Sequence, residues 1–228
     1  MKIIATLKSR NEERNIRNAI ESYHDWVDEI LIADGMSTDS TVKIAQQYPK
    51  VTVRPFDIFY TRKDGSRRNH EGKHLNFLFD WAESREPDWI IHDDCDCVLN
   101  GHLKRNARTL MENCANDTLH AVRLYLYGED RHFLKMSYIH DKWQPGLWAW
   151  KAHTKIRCAD VERHFTISNL NQFSQCVLEP PYCILHKFAP TEEVIMGKVN
   201  DYKLEAPTAV HPRVVYGEPE LLPEWAKE

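Results

Sequence analysis

The order of apolar runs in the first 56 residues constrains the fold more than any other feature of this chain. "KIIATL" (2–7), "DEILIAD" (28–34) and "VTVRPF" (51–56) are apolar runs of strand length, the last ended by Pro55. Between the first two, "NEERNIRNAIESY" carries Ile16, Ala19, Ile20 and Tyr23 at helical spacing. Val42, Ala45 and Tyr48 mark a second helix, which Asp39 or Thr38 can cap. The order β-α-β-α-β predicts a parallel sheet with covering helices. Right-handed crossovers then set the strand C-terminal ends along one edge, where ligands of such sheets bind. Acidic residues at the start of the first helix suit its N-terminus.

The rest of the chain extends this plan. "RKDGSRRNHEGKH" (62–74) is polar and basic, and Leu75, Leu78, Phe79 and Ala82 give the next helix face. "DWIIHDD" (88–94) predicts a fourth strand, followed by a helix marked by Leu103, Ala107, Leu110 and Met111. "HAVRLYLYG" (120–128) alternates as a strand. Beyond Gly128 the pattern loosens: 136–150 is aromatic and turn-rich, "PPYCILHKFAP" (180–190) is a short strand, and 201–228 reads as an irregular tail. With 228 residues, 42% hydrophobic, the expectation is one α/β domain spanning 1–228, in three layers around a central, mostly parallel sheet. The second half continues it in antiparallel or irregular form.

"WIIHDDCDCVLN" (89–100) carries the chemistry. Asp94 and Asp96, at i and i+2 where a strand end turns, can both address one ligand, and Asp93 adds a third carboxylate. Carboxylate oxygens suit Mg²⁺ or Mn²⁺, with a diphosphate completing the ion's shell. The competing reading is an acidic turn that caps the helix at 101–113. His92, Cys95, Cys97 and His102 do not have a usual structural-zinc spacing, and the two cysteines read as small packing residues. Asp34 ends the second strand at the same sheet edge, either capping its turn or accepting from a ribose or base. Arg67 and Arg68 precede a helix, as a solvated charge run or a diphosphate site. Trp143, Trp148 and Trp150 are packing residues or a stacking surface for an acceptor sugar.

Three bulk features narrow the setting. A net charge of −4 gives no general pull on nucleic acid, although Arg62, Lys63, Arg67, Arg68 and Lys73 form a local basic cluster. No run approaches the ~20 apolar residues that cross a bilayer, so a cytoplasmic protein is expected. The six cysteines then read as thiols.

Four segments in order, "IIATLKSRNEERNI", "VDEILIADGMSTDST", "RRNHEGKHLNFLFDWA" and "PDWIIHDDCDCV", resemble the family-2 glycosyltransferases of GT-A (Rossmann-like) fold. Their flavour is similar to bacterial glucosyltransferases of lipopolysaccharide-core type. The resemblance covers residues 1–100 and makes them the nucleotide-sugar-binding half, with acceptor binding assigned to 101–200. It implies that Thr6, Lys8, Glu12 and Asp34 hold base and ribose, that Arg67 or Arg68 meets the diphosphate, and that Asp94 and Asp96 are the D-x-D pair for ribose and metal. Asp93 leaves that register open by one residue. The resemblance also implies a general base after D-x-D. Candidates are Glu162 and Asp160, then Glu129 and Asp130; the His of a family His-Glu pair is missing or displaced to His164. His186 in "CILHKF" is a core histidine or a further metal ligand, with Lys187 able to reach a phosphate. The implied activity is metal-dependent inverting transfer of a sugar, with Mn²⁺ or Mg²⁺, from a nucleotide-diphosphate donor, UDP-linked, to an acceptor hydroxyl. The acceptor is a glycan or other hydroxyl compound, with modified nucleic acid retained. A nucleotidyltransferase would want a Gly-rich phosphate loop, and "TLKSRNEE" has no glycine. A binding module without turnover is the remaining alternative.

Overall fold

The structure is a computed structural model that describes residues 1–62, 64–127, 132–134, 145–162, 167–189 and 219–227. Glu129, Asp130, Trp143 and His164 lie outside the described residues. The chain opens with β1 (Ile3–Ser9), α1 (Ile16–Tyr23), β2 (Glu29–Asp34), α2 (Thr41–Ala45) and β3 (Val51–Pro55). A small hairpin, β4 (Phe59–Thr61) and β5 (Arg67–Asn69), leads into α3 (Glu71–Glu83). Then come β6 (Trp89–Asp94), β7 (Cys97–Leu99), α4 (Gly101–Glu112) and β8 (Thr118–Tyr127). The last elements are β9 (His132–Leu134), β10 (Pro145–Lys151), β11 (Gln175–Val177), β12 (Cys183–Ala189), β13 (Pro219–Leu221) and α5 (Glu224–Lys227).

One sheet of eleven strands runs β13-β9-β8-β10-β6-β1-β2-β3, with β7, β11 and β12 attached off that path. β6, β1, β2 and β3 are mutually parallel, as the apolar runs predict. β10 inserts antiparallel between β6 and β8, so the sheet is mixed beyond β6. β1 has β2 on one side and β6 on the other. The connection direction therefore reverses at β1, and a crevice opens at the strand C-terminal ends.

Both faces of β1, β2 and β6 are buried, while β3, at the end of the sheet, is half-buried to exposed. On one face Ile3, Ala5, Leu7, Ile30, Ile32, Trp89 and Ile91 pack with Ile16, Ala19, Ile20 and Tyr23 of α1 and with Leu103, Ala107 and Met111 of α4. On the other, Ile4, Leu31, Ala33 and Ile90 pack with Leu75, Leu78, Phe79, Trp81 and Ala82 of α3. This two-residue alternation decides which side chains reach the crevice.

Several local expectations change. α1 begins at Ile16, with no acidic residue in its first turn. Glu13 instead accepts from Ser40 N at 3.1 Å, tying the β1–α1 and β2–α2 loops together. Asp39 accepts from Thr41 N at 3.0 Å and so closes the start of α2. The segment read as polar and basic holds β5, which pairs antiparallel with β4 just before it. Trp148 and Trp150 are fully buried in β10; Trp150 meets Phe79 edge-on at 4.8 Å. Neither is a stacking surface, because β10 lies inside the sheet. Part of the expected irregular tail is regular: β13 pairs with β9, and Leu222 and Ala226 are buried against Val122, Leu124 and Leu126. No helix of the described residues is long and apolar enough to cross a membrane.

Candidate functional site

The end of β6 divides its aspartates between the two faces. β6 runs beside β1 with Leu7 opposite Asp93 and Lys8 opposite Asp94. Asp93 follows Trp89 and Ile91 onto the α1 face. It is fully buried, with Arg123 Nη2 at 2.7 Å from Oδ1 and Tyr23 OH donating to Oδ2 at 2.5 Å. Burial pushes its pKa up, against the pull of Arg123 and Tyr23. Asp94 follows Ile90 and His92 onto the α3 face. Lys8 Nζ lies 3.3 Å from Asp94 Oδ1 and makes a still closer ion pair with Glu71. Burial alone would raise the Asp94 pKa; the Lys8 ammonium, together with His92, Arg123 and His186 behind it, outweighs burial and holds the carboxyl well below the usual range. The same two carboxylates outweigh the effect of burial on Lys8 and raise its pKa.

After Asp94 the chain turns through Cys95 and Asp96 into β7, which pairs antiparallel with β12 and sets Cys97 opposite His186. Lys187 N donates to the Asp96 carbonyl at 2.7 Å, and His186 Nε2 lies 3.0 Å from Asp96 Oδ2. Among the described residues, one group of donor atoms converges as a metal site would. It is Asp96, Cys97 and His186, within 4.8 Å of one another; Asp94 is outside it. Burial raises the Cys97 thiol well above its ordinary pKa, which leaves a carboxylate oxygen and an imidazole nitrogen as the ready donors. Helix α4 is capped by Asn100, whose Oδ1 accepts from Leu103 N at 3.1 Å. The aspartates therefore do not serve as its cap.

A cleft of about 390 Å³ stands over this turn. Lys8, Ser9, Arg10 and Glu12 line it from β1 and the loop beyond. Tyr60, Arg68 and Asn69 line it from the hairpin, and Glu71 and His74 from α3. Asp94, Cys95 and Asp96 contribute from the turn, and Glu162 closes the far side. Two backbone bonds hold Glu162 there: Glu71 N to Glu162 O at 3.0 Å and Gly72 N to Val161 O at 2.9 Å. A Cβ on residue 72 would run into the Ala159 carbonyl, so this approach needs glycine. On the hairpin, the Arg10 and Arg67 guanidiniums lie 5.1 and 4.5 Å from the Phe59 ring centroid.

Asp34 sits at the edge of the crevice and organises its own turn. Oδ1 accepts from Ser9 Oγ at 2.9 Å and Ser37 Oγ at 2.5 Å, and Oδ2 accepts from Ser37 N at 2.8 Å. Asn11 then binds Ser37 and Thr38, lacing the two loops. Gly35 presses on the Asn69 side chain, where a Cβ would collide.

A family model described as Glycosyl transferase family 2 matches residues 6–168. The chain belongs to glycosyl transferase family 2. An uncharacterized glycosyltransferase of Rickettsia felis is 31% identical over 127 residues, which are 55% of this chain and 39% of that protein. The chain thus spans about two fifths of the length of that curated relative. The solved structure of S. aureus TarS 1-349 shares the fold, with a TM-score of 0.59 at 16% identity over 89% of this chain and 66% of that one. TarS 1-349 in complex with UDP-GlcNAc gives a TM-score of 0.58 at 16% identity over 84% and 59% of the two chains. The expected α/β architecture of GT-A type is therefore present.

Within this family-2 fold, the cleft gathers Lys8, Glu12, Arg68, Asp94, Asp96 and Glu162 from the residues singled out by sequence, and Asp96 brings in His186. Two residues expected to bind the donor are closed off from the cleft. Asp93 is sealed on the α1 face. Thr6 is fully buried, donating to the Ile91 carbonyl at 2.8 Å; with its one proton used, it accepts from His92 Nδ1 at 3.1 Å. Asp34, Arg67 and Asp160 lie outside the cleft lining, and Asp160 faces His70 and Lys73 instead. The sequence reading missed Ser9, Arg10, Tyr60, Asn69, Glu71 and His74. Ser9, Arg10, Asn69, Glu71 and His74 stood inside quoted motif segments, and Tyr60 carried no signal.

Proposed function

We propose that this chain transfers a sugar from a nucleotide-diphosphate donor to an acceptor hydroxyl, with inversion and with a divalent cation. The observation that carries the proposal is the polar cleft over the β6 turn, which combines the Asp94 and Asp96 carboxylates, the Lys8 and Arg68 cations and a facing carboxylate, Glu162. TarS, of the same fold, has been solved with UDP-GlcNAc, which supports a UDP-linked donor.

Asp96 and His186 would hold the cation. Their donor atoms already lie 3.0 Å apart, and an oxygen with an imidazole nitrogen suits Mn²⁺, or Mg²⁺ with more oxygen from the diphosphate. Bound there, the ion would supply positive charge for the departing diphosphate. Arg68 adds a guanidinium from the hairpin side. Glu162 takes the proton from the acceptor hydroxyl as its oxygen attacks the anomeric carbon. Asp160 is the weaker candidate for that role, since it is turned toward His70 at 3.3 Å.

Incubation with a panel of nucleotide sugars, Mn²⁺ and simple acceptors, following nucleotide release, tests the reading. Release from a UDP-sugar is expected, with loss on adding EDTA and a fall of about 100-fold or more in Asp96→Ala. Metal-independent release, or full activity in Asp96→Ala, would sink the mechanism. Binding without release from any donor would instead favour a sugar-binding module.

A further inference from the structure

The two carboxylates of the D-x-D turn face different partners. Asp96 meets His186, whereas Asp94 meets Lys8. Lys8 and Asp94 are register partners on adjacent parallel strands, both turned to the α3 face. Glu71, in the first turn of α3, closes on Lys8 from that face. The result is a carboxylate–ammonium–carboxylate row along one wall of the cleft, at the point where the strand order reverses. Its members keep 34%, 21% and 19% of their side-chain surface exposed for Asp94, Lys8 and Glu71. The ammonium is thus fixed by two anions and still reachable from the cleft. The row carries one net negative charge, so what it offers a phosphate is a direct N–H···O bond from the Lys8 ammonium, the one donor of the three, and not long-range attraction.

Resting on the donor site proposed above, we propose that Lys8 is a diphosphate-contacting catalytic residue and that Asp94 and Glu71 are its positioning residues, Asp94 being no ligand of the cation. In the transfer, the bond between the anomeric carbon and the phosphate oxygen breaks and its electron pair stays on the diphosphate. The acceptor oxygen forms the new bond and its proton goes to Glu162. Lys8 keeps its proton throughout and neutralises the charge that grows on the leaving oxygen, opposite Arg68.

Binding measurements separate this division of labour from the alternatives. Mn²⁺ affinity is read from the free-ion electron paramagnetic resonance signal, UDP affinity by calorimetry at fixed Mn²⁺, and uridine affinity by NMR titration. Lys8→Met is expected to weaken UDP by about 10- to 100-fold while changing Mn²⁺ and uridine affinities by less than about 3-fold. Asp94→Asn should also keep Mn²⁺ within about 3-fold, whereas Asp96→Asn should lose it by about 100-fold or more. Glu71→Gln, which loosens the ammonium without removing it, should weaken UDP by a smaller factor, and thermal unfolding confirms that each variant folds. Equal weakening of UDP and uridine in Lys8→Met would place the lysine on the nucleoside and overturn the inference. Loss of Mn²⁺ in Asp94→Asn as complete as in Asp96→Asn would overturn it too. A wild-type protein that binds neither UDP nor Mn²⁺ would remove the proposed function itself, a different failure from either of these.

Discussion

On the α1 face of β6, Asp93 is closed off from solvent between the Arg123 guanidinium and the Tyr23 hydroxyl; one residue on, across the sheet, Asp94 opens to the cleft and faces Lys8. Both carboxylates have a cation beside them. They differ in what surrounds the pair. For Asp93, burial is complete and drives the pKa up despite its partners. For Asp94, burial is outweighed by Lys8 together with His92, Arg123 and His186, and the pKa falls. A sealed ion pair can only hold elements together, here α1, β6 and β8. A pair open to a cleft can be rearranged by a ligand, which is what a binding site requires.

Removing the sealed carboxylate should therefore have the largest effect on the fold. Asp93→Ala leaves the partly buried Arg123 guanidinium without the Asp93 carboxylate, a loss that reaches about 3–5 kcal/mol where a pair is fully buried. Asp94→Asn, on the open face, should change stability by about 1 kcal/mol or less. Urea unfolding of the two variants beside the wild type measures both. Equal losses would mean that the two faces are not distinguished as described.

Acid should strike the α3 face first. His74 is buried, stacked on Phe56 at 4.2 Å, and its Nε2–H donates to the Ala33 carbonyl at 2.9 Å. Burial lowers its pKa to about 4, and burial lowers that of His92 to about 3. Both are neutral in the folded chain at pH 6, where an unfolded histidine begins to take up a proton. The unfolded state then binds more protons, so stability falls as pH drops through about 6.5 and goes on falling to about 4. For His74 the window corresponds to about 3 kcal/mol at most. Asp93 acts with the opposite sign: its raised pKa means that lowering pH relieves a buried charge. Unfolding free energies at pH 7 and pH 5 should differ less in His74→Gln than in the wild type. An unchanged difference would show that His74 is not the group that resists protonation.

Much of this arrangement could be read from the chain, for a physical reason. Strands buried on both faces appear as uninterrupted apolar runs, so β1, β2, β6 and their crossovers were legible, as was the half-buried β3 from its Val51-Thr52-Val53 run, and with them the edge that carries the D-x-D turn. The same double burial hid which aspartate faces the cleft. Trp89, Ile91 and Asp93 alternate with Ile90, His92 and Asp94, and neither set carries a solvent-facing marker. The answer depends on Tyr23, 70 residues back, and Arg123, 30 residues on. A lone Arg in "HAVRLYLY" and a lone Lys closing "IIATLK" were the available hints of buried partners. The β4–β5 hairpin escaped because strands of three residues at the surface leave no alternation to detect. The tryptophans stayed open between packing and stacking because nothing local reveals that β10 inserts between β6 and β8.

Asn100 links the start of α4 to the start of β12. Its Oδ1 accepts from Leu103 N at 3.1 Å and from Cys183 N at 3.2 Å, and its Nδ2 donates to the Pro181 carbonyl at 2.8 Å. One buried side chain thus caps α4 and pins the start of β12, the strand that carries His186 to Asp96. Asn100→Ala removes the cap, a loss of about 1–2 kcal/mol in unfolding experiments. It also frees the β12 end, so the contact between His186 and Asp96 should loosen while Lys8 and Asp94, fixed by β1 and β6, stay in place. In binding terms, Mn²⁺ affinity should fall by a factor smaller than in Asp96→Asn, and the Lys8-dependent part of UDP affinity should be retained. A fall in that Lys8-dependent part as large as the fall in Mn²⁺ affinity would mean that the Asp94 and Asp96 sites move as one unit, and that the division between them lies elsewhere than at the turn.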